Sequence, residues 1–134
     1  REVVSLRQFR CALYEPVIEI PGGNPDHLGE RTETTGRREL EEETGYSAAK
    51  FVLLEGPPVW FDPVSCFTPF VPILALGCQR IREPRLDKLE IAEVVVIPIA
   101  KWMKMIGNGQ IRDSKTITTT LLVLFHLDLI SLKI

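Results

Sequence analysis

What this chain has little of narrows its function first. Its 134 residues hold only three cysteines and two histidines. Cys11, Cys66 and Cys78 are scattered without a C-x-x-C pair, and neither His27 nor His126 sits in a zinc-binding pattern. An odd, dispersed set of thiols argues against a disulfide frame or a zinc site, and for the reduced thiols of a cytoplasmic protein. A basic excess is missing too. Sixteen Lys and Arg stand against 18 Asp and Glu, a net charge of −2, so no nucleic-acid partner is expected. The apolar segment near the C-terminus is interrupted by His126, Asp128 and Lys133. It falls short of the ~20 residues that a span requires, so no membrane partner is expected either. Signal-peptide patterns, internal repeats and low-complexity tracts are all missing. The first residue is Arg1 rather than methionine, and some N-terminal sequence is expected to be missing. With 45% hydrophobic and 25% charged residues, residues 1–134 are expected to form one globular domain.

Acid, by contrast, is concentrated. Residues 22–46 read GGNPDHLGERTETTGRRELEEETGY and carry six glutamates. On a helix, Glu39, Glu42 and Glu43 share a face at spacings i, i+3 and i+4, while Glu41 points elsewhere. Like charges this close oppose helix formation by a few tenths of a kcal/mol per pair. A hard divalent cation with oxygen ligands would offset that repulsion. Glu30 and Glu33 suit the N-terminal end of the helix dipole, and Gly45 suits a left-handed cap at the other end. Upstream, Pro21-Gly22-Gly23 can bend sharply, so that a main-chain carbonyl, that of Gly22, faces the metal as well. Only Thr35, Gly36 and Leu40 remain to pack inward, and Gly36 costs about 1 kcal/mol relative to alanine. A binding site accounts for this helix better than propensity or burial does.

Glu30, then seven residues, then Arg38-Glu39-Leu40-x-Glu42-Glu43-x-Gly45-Tyr46 resembles the Nudix box of the Nudix hydrolases. Six residues separate Gly23 from Glu30, one more than in the family pattern, and the extra residue falls in a loop, where insertions are best tolerated. Two further segments are similar to ADP-ribose pyrophosphatase-type members: Arg7-Gln8-Phe9-Arg10, and Glu19-Ile20-Pro21-Gly22-Gly23 at a strand end. The resemblance implies the Nudix fold, an α/β/α sandwich with a mixed β-sheet and the box as loop-helix-loop. It implies Mg²⁺, with Mn²⁺ as a substitute, held by Glu39, Glu42 and Glu43. One carboxylate would act as general base on a metal-activated water. Arg38 would orient Glu43 or its neighbours through a bidentate pair, and Glu30 would be a secondary ligand or, with Gly23 and Gly45, a structural part of the box. Arg7 and Arg10, otherwise ordinary strand charges, would meet substrate phosphate. Glu19, in an apolar strand, needs a partner, either substrate or an arginine.

The other segments read more simply. Residues 2–8, 17–23, 48–54, 70–76 and 94–99 are expected as strands, with Pro72 starting or bulging the fourth. Prolines 57, 58 and 63 mark a loop whose sequence departs from the family form; in it, Trp60 or Phe61 would stack on a base or simply anchor the loop. Residues 77–88 read as a loop. An acid from residues 83–93 supplies a base or extra ligand in many relatives, and Glu83, Asp87, Glu90 and Glu93 are candidates, Glu90 being favoured. Two helices close the chain. Asp113 or Ser114 caps the second, which presents Ile117, Leu121, Leu124 and Asp128 as one face, with Leu122, Phe125 and Leu129 beside it. The expected activity is hydrolysis of a nucleoside diphosphate linked to another moiety, ADP-ribose or a nucleotide sugar first. A triphosphate pyrophosphohydrolase or a non-catalytic nucleotide sensor is the alternative. Relatives of this type imply a homodimer.

Overall fold

In a computed structural model the described residues are 1–56 and 58–131; Pro57 and Lys133, both invoked above, lie outside the described residues. Strand β1 (Glu2–Arg10) sits between β2 (Glu15–Glu19) and β7 (Ala92–Pro98), antiparallel to both. Strand β3 (Tyr46–Leu53) pairs antiparallel with β6 (Ile73–Arg80), and the short β4 (Val59–Trp60) with β5 (Pro69–Phe70). Helix α1 (Thr32–Thr44) follows β2, and α2 (Ile99–Gly107) and α3 (Ser114–His126) end the chain. The expected α/β composition is present. The ladders recorded among the described residues are all antiparallel, so the mixed part of the expected sheet finds no parallel pair there. A short turn returns β2 beside β1, and such turns join only antiparallel neighbours.

The core lies between the three-stranded sheet and α2. Trp102, Ile97, Met105 and Ile111 are buried together, with Val3, Ile18, Val95 and Ile117 packed around them. Trp102 is fully buried, and its indole N–H donates to Thr120 Oγ1 at 3.0 Å, which removes the penalty of burying that group.

Several limits differ from expectation. β2 ends at Glu19 rather than running to Gly23. Pro21 has no N–H for a ladder, and the Ile20 N–H donates instead to Thr116 Oγ1 at 3.1 Å. Pro72 splits the expected run 70–76 into β5 and β6, and β6 continues to Arg80, opposite Tyr46. In α3 the expected face is met in part: Leu124 is buried and Ile117 packs against the core, but Leu121, Phe125 and Leu129 are exposed, and Thr116 and Thr119 are buried beside them. The cap turns Thr116 inward, because Asp113 accepts from the Thr116 N–H at 2.8 Å and from its hydroxyl at 2.7 Å.

Candidate functional site

The end of α1 decides which acids meet. Gly45 has φ 73°, and its N–H donates to the Glu41 carbonyl at 3.0 Å. Glycine adopts this left-handed close without a Cβ penalty. One turn back, Glu39, Glu42 and Glu43 line a single cavity of about 400 Å³ together with Gly22, Gly23 and Glu90. Glu41 faces away and lies 3.5 Å from Arg82. Glu43 is the buried member. Desolvation pushes its carboxyl up to about 7 against the opposing Gly22 N–H, which donates to it at 2.8 Å; the charges of Glu39 and Glu90 add to the push. Glu39 is also raised, chiefly by desolvation. Buried acids that are incompletely neutralised leave a deficit of positive charge.

The glycines of the preceding loop lie against these acids. Gly22 meets the acids through its N–H, which donates to Glu43. At Gly23 a methyl group would collide with the Glu39 carboxylate, so glycine is what lets that carboxylate lie over the loop. Glu30 is a structural clasp. It accepts from Thr35 Oγ1 at 2.7 Å and from the Asp26 N–H at 3.0 Å, and those bonds hold its carboxyl below the usual range. Its own N–H donates to the His27 carbonyl at 3.2 Å, closing the loop that contains the extra residue.

Arg38 reaches the neighbours of Glu43 but not Glu43 itself, and not by a bidentate pair. One nitrogen, Nη1, donates to Glu39 Oε1 at 2.9 Å and to Glu42 Oε2 at 3.1 Å, while Nη2 donates to the Asn24 carbonyl at 2.8 Å. Residue 42 is one turn from 38, whereas 43 is rotated off that line. Burial works against the Arg38 charge, but its bonds to Glu39 and Glu42 outweigh this and raise its pKa. With the carboxylates so engaged, no group of three or more His, Cys, Asp or Glu among the described residues is disposed to hold an ion as it stands. The donor chemistry nevertheless fits a hard divalent cation: the acids lining the cavity are oxygen donors, and both Glu43 and Glu39 are raised, chiefly by desolvation.

Glu90 also lines the acidic cavity, and its carboxylate accepts from the Asp87 N–H at 2.9 Å. Asp87 lies there too. Glu83 instead pairs with Arg80 at 2.7 Å, and Glu93 is exposed on β7 opposite Arg7. Of the four candidate acids, Glu90 and Asp87 are brought to the site.

The acidic cavity adjoins a larger cleft of about 540 Å³, and Gly22, Gly23, Glu39 and Glu43 line both. Arg10 and Glu19 form part of its wall as a bidentate pair, Nε to Oε1 at 2.7 Å and Nη2 to Oε2 at 2.6 Å. The partner of buried Glu19 is thus an arginine, and the hydrogen bond to Glu19 raises the pKa of Arg10. Arg7 does not join them. Side chains alternate along β1, and Arg7 is exposed and outside the cleft lining, so the expected phosphate contact finds no support within this chain. Phe61 lines the cleft, 5.1 Å from Phe70 between ring centroids, with Lys115 Nζ 5.4 Å from its ring. Trp60 is 53% exposed and not part of the lining. The cleft also includes Gln8, Asp113, Lys115 and Thr119, which were not expected at the site. Gln8 was readable, since it lies two positions from Arg10 on one face of β1.

No family model matches the chain. It is 32% identical over 119 residues to the ADP-ribose pyrophosphatase of Bacillus subtilis, covering 86% of this chain and 61% of that protein. It is 28% identical over 120 residues to a methanol dehydrogenase activator of Bacillus methanolicus, covering 87% of this chain and 62% of that one. Over 62 residues it is 40% identical to the ADP-ribose pyrophosphatase of Saccharomyces cerevisiae, covering 46% of this chain and 26% of that protein. The chain therefore spans about three fifths of the length of the two Bacillus relatives. A crystal structure of an ADP compounds hydrolase shares the fold, with a TM-score of 0.81 at 19% identity over 95% of this chain and 66% of that one. Arg38 to Glu43 of the box lie along α1, and the chain resembles the ADP-ribose pyrophosphatases of the Nudix type in sequence while sharing the fold of an ADP compounds hydrolase.

Proposed function

We propose that this chain hydrolyses the pyrophosphate bond of a nucleoside diphosphate linked to another moiety, ADP-ribose or a nucleotide sugar, giving a nucleoside monophosphate and a phosphorylated product. One observation carries this: the cavity lined by Glu39, Glu42, Glu43 and Glu90 adjoins, across Glu39 and Glu43, a cleft walled by Arg10, Phe61 and Lys115. Such a cleft accepts an anionic aromatic compound whose phosphates lie toward the acids. Glu39, Glu42 and Glu43 would hold Mg²⁺, or Mn²⁺ in its place. Bound there, the ion would neutralise phosphate oxygens and lower the pKa of a water ligand. Arg38 keeps Glu39 and Glu42 oriented, and the Gly22 N–H does the same for Glu43. Glu90 and Asp87 are placed to accept a proton, and Phe61 to stack on a base. The relatives named for ADP-ribose support that substrate, and three free thiols support a cytoplasmic setting. Among the described residues no helix is long and apolar enough to cross a membrane.

The test is phosphate release, with a coupling phosphatase, from ADP-ribose, nucleotide sugars, dinucleoside polyphosphates, NADH and the nucleoside triphosphates, with and without Mg²⁺. Magnesium-dependent turnover of ADP-ribose or a nucleotide sugar above the triphosphates is expected. A preference for triphosphates would move the function to a triphosphate pyrophosphohydrolase. Silence across the panel would move it to nucleotide-dependent regulation, a role that the relative named as a methanol dehydrogenase activator would then favour.

A further inference from the structure

Two arginines, Arg38 and Arg85, line the acidic cavity. Arg38 is taken up by Glu39, Glu42 and the Asn24 carbonyl. Arg85 makes no ion pair and no side-chain hydrogen bond among the described residues. Its backbone is nevertheless held firmly. The Arg85 N–H donates to the Glu42 carbonyl at 2.7 Å, and the Ile81 and Arg82 N–H groups donate to the Gly45 carbonyl at 2.9 and 3.2 Å. The loop therefore uses up the carbonyls left open at the end of α1. It crosses Gly45 so closely that a Cβ there would collide with the Arg82 carbonyl. Arg85 thus starts beside the turn that bears the acids, with its charged end uncommitted.

We propose that Arg85 is a further catalytic residue that binds phosphate oxygens of the substrate at the acidic end of the cleft; this rests on the function proposed above. In the hydrolysis, water oxygen forms a bond to one phosphorus while the bridging P–O bond breaks. The bond's electron pair goes to the departing phosphate, and the water proton goes to a carboxylate. The charge that grows on the departing phosphate needs a cation, and Arg38 is already engaged. A guanidinium can meet two phosphate oxygens at once, which an ammonium cannot.

The experiment compares wild type, Arg85→Ala and Arg85→Lys in two ways. One is turnover of ADP-ribose with Mg²⁺. The other is calorimetric binding, of Mg²⁺ alone and of ADP-ribose with Ca²⁺ in place of Mg²⁺. Arg85→Ala is expected to lower kcat/KM roughly 10- to 100-fold and to weaken ADP-ribose binding, with Mg²⁺ bound as tightly as in wild type or more so. Arg85→Lys is expected to recover only part of the loss. Turnover by Arg85→Ala within about twofold of wild type would overturn the proposal. So would a loss matched by an equal loss of Mg²⁺ affinity, since Arg85 would then serve the ion site instead. A wild type that neither binds nor hydrolyses ADP-ribose or nucleotide sugars would overturn the proposed function itself, and the role of Arg85 with it. Arg85 is exposed, so neither variant opens the core, and the melting temperature checks this.

Discussion

At the scale of single residues, Glu43 shows both the reach and the limit of sequence. The helical period was enough to group it with Glu39 and Glu42. Its holder was not legible, because Gly22 is 21 positions away and offers a backbone group rather than a side chain. The same limit applied to Glu19, whose partner became clear only when the strands brought Arg10 to it. The burial of Glu43 has a measurable consequence. Its carboxyl titrates near 7 in the fold against 4.5 as reference, so between those values the folded state binds the extra proton. Its contribution to stability is complete below about pH 4.5 and is lost as pH rises through about 7. The full difference is on the order of 3 kcal/mol. Glu43→Gln removes that titration and keeps an acceptor for the Gly22 N–H. In metal-free buffer, urea unfolding should therefore show the variant gaining on wild type by up to that amount between pH 5 and pH 8. A difference that stays flat across this range would mean that the Glu43 charge is not being desolvated.

At the scale of elements, the loop-helix-loop around α1 was legible at its glycine-capped end and less so at its start. Gly45 announced the close of α1. The end of β2 was obscured because Ile20 and Pro21 continue an apolar pattern, while the bonds that terminate the strand come from Thr116 and Glu43 far along the chain. Two glycines of this unit should respond to alanine in opposite ways. At Gly23 the new methyl meets only the end of the Glu39 side chain, which can swing aside. Gly23→Ala should keep the melting temperature within a few degrees of wild type while weakening Mg²⁺ binding and turnover at least tenfold, as expected when a ligand is displaced. At Gly45 the methyl meets the Arg82 carbonyl, which is backbone, and φ is positive. Gly45→Ala should cost more than about 2 kcal/mol, combining left-handed strain with the displacement of residues 81–85. Calorimetry and turnover on the same samples would distinguish the two. Equal losses of stability would remove the distinction between a site glycine and a fold glycine.

At the scale of the whole molecule, the class of fold was legible because strands and helices each announced themselves by period. Which strands become neighbours was not, since β1 and β7 meet across some ninety positions, with the Ser5 hydroxyl donating to the Val95 carbonyl at 2.7 Å. That distant pairing makes the acidic cavity a property of the entire chain. β1 and β2 supply Arg10 and Glu19 to the adjoining cleft, while α1 supplies three carboxylates and the loop before β7 supplies Glu90 to the cavity itself. In the unfolded chain these groups are dispersed and have little hold on an ion, so binding to the fold becomes stability by mass action. At a hundredfold excess over its Kd, Mg²⁺ should add about 2.7 kcal/mol, raising Tm by on the order of 8–10 °C in a domain of this size. The same concentration of K⁺ at matched ionic strength should add little, because screening alone does not replace oxygen ligation. Glu43→Gln should reduce the magnesium increment by more than half, since Glu43 is the most buried of the three α1 carboxylates and so gains most from a cation. If Mg²⁺ left Tm unchanged at concentrations that support turnover, the ion would have to arrive with the substrate phosphates rather than on the carboxylates. Glu39, Glu42 and Glu43 would then complete its coordination only in the presence of nucleotide.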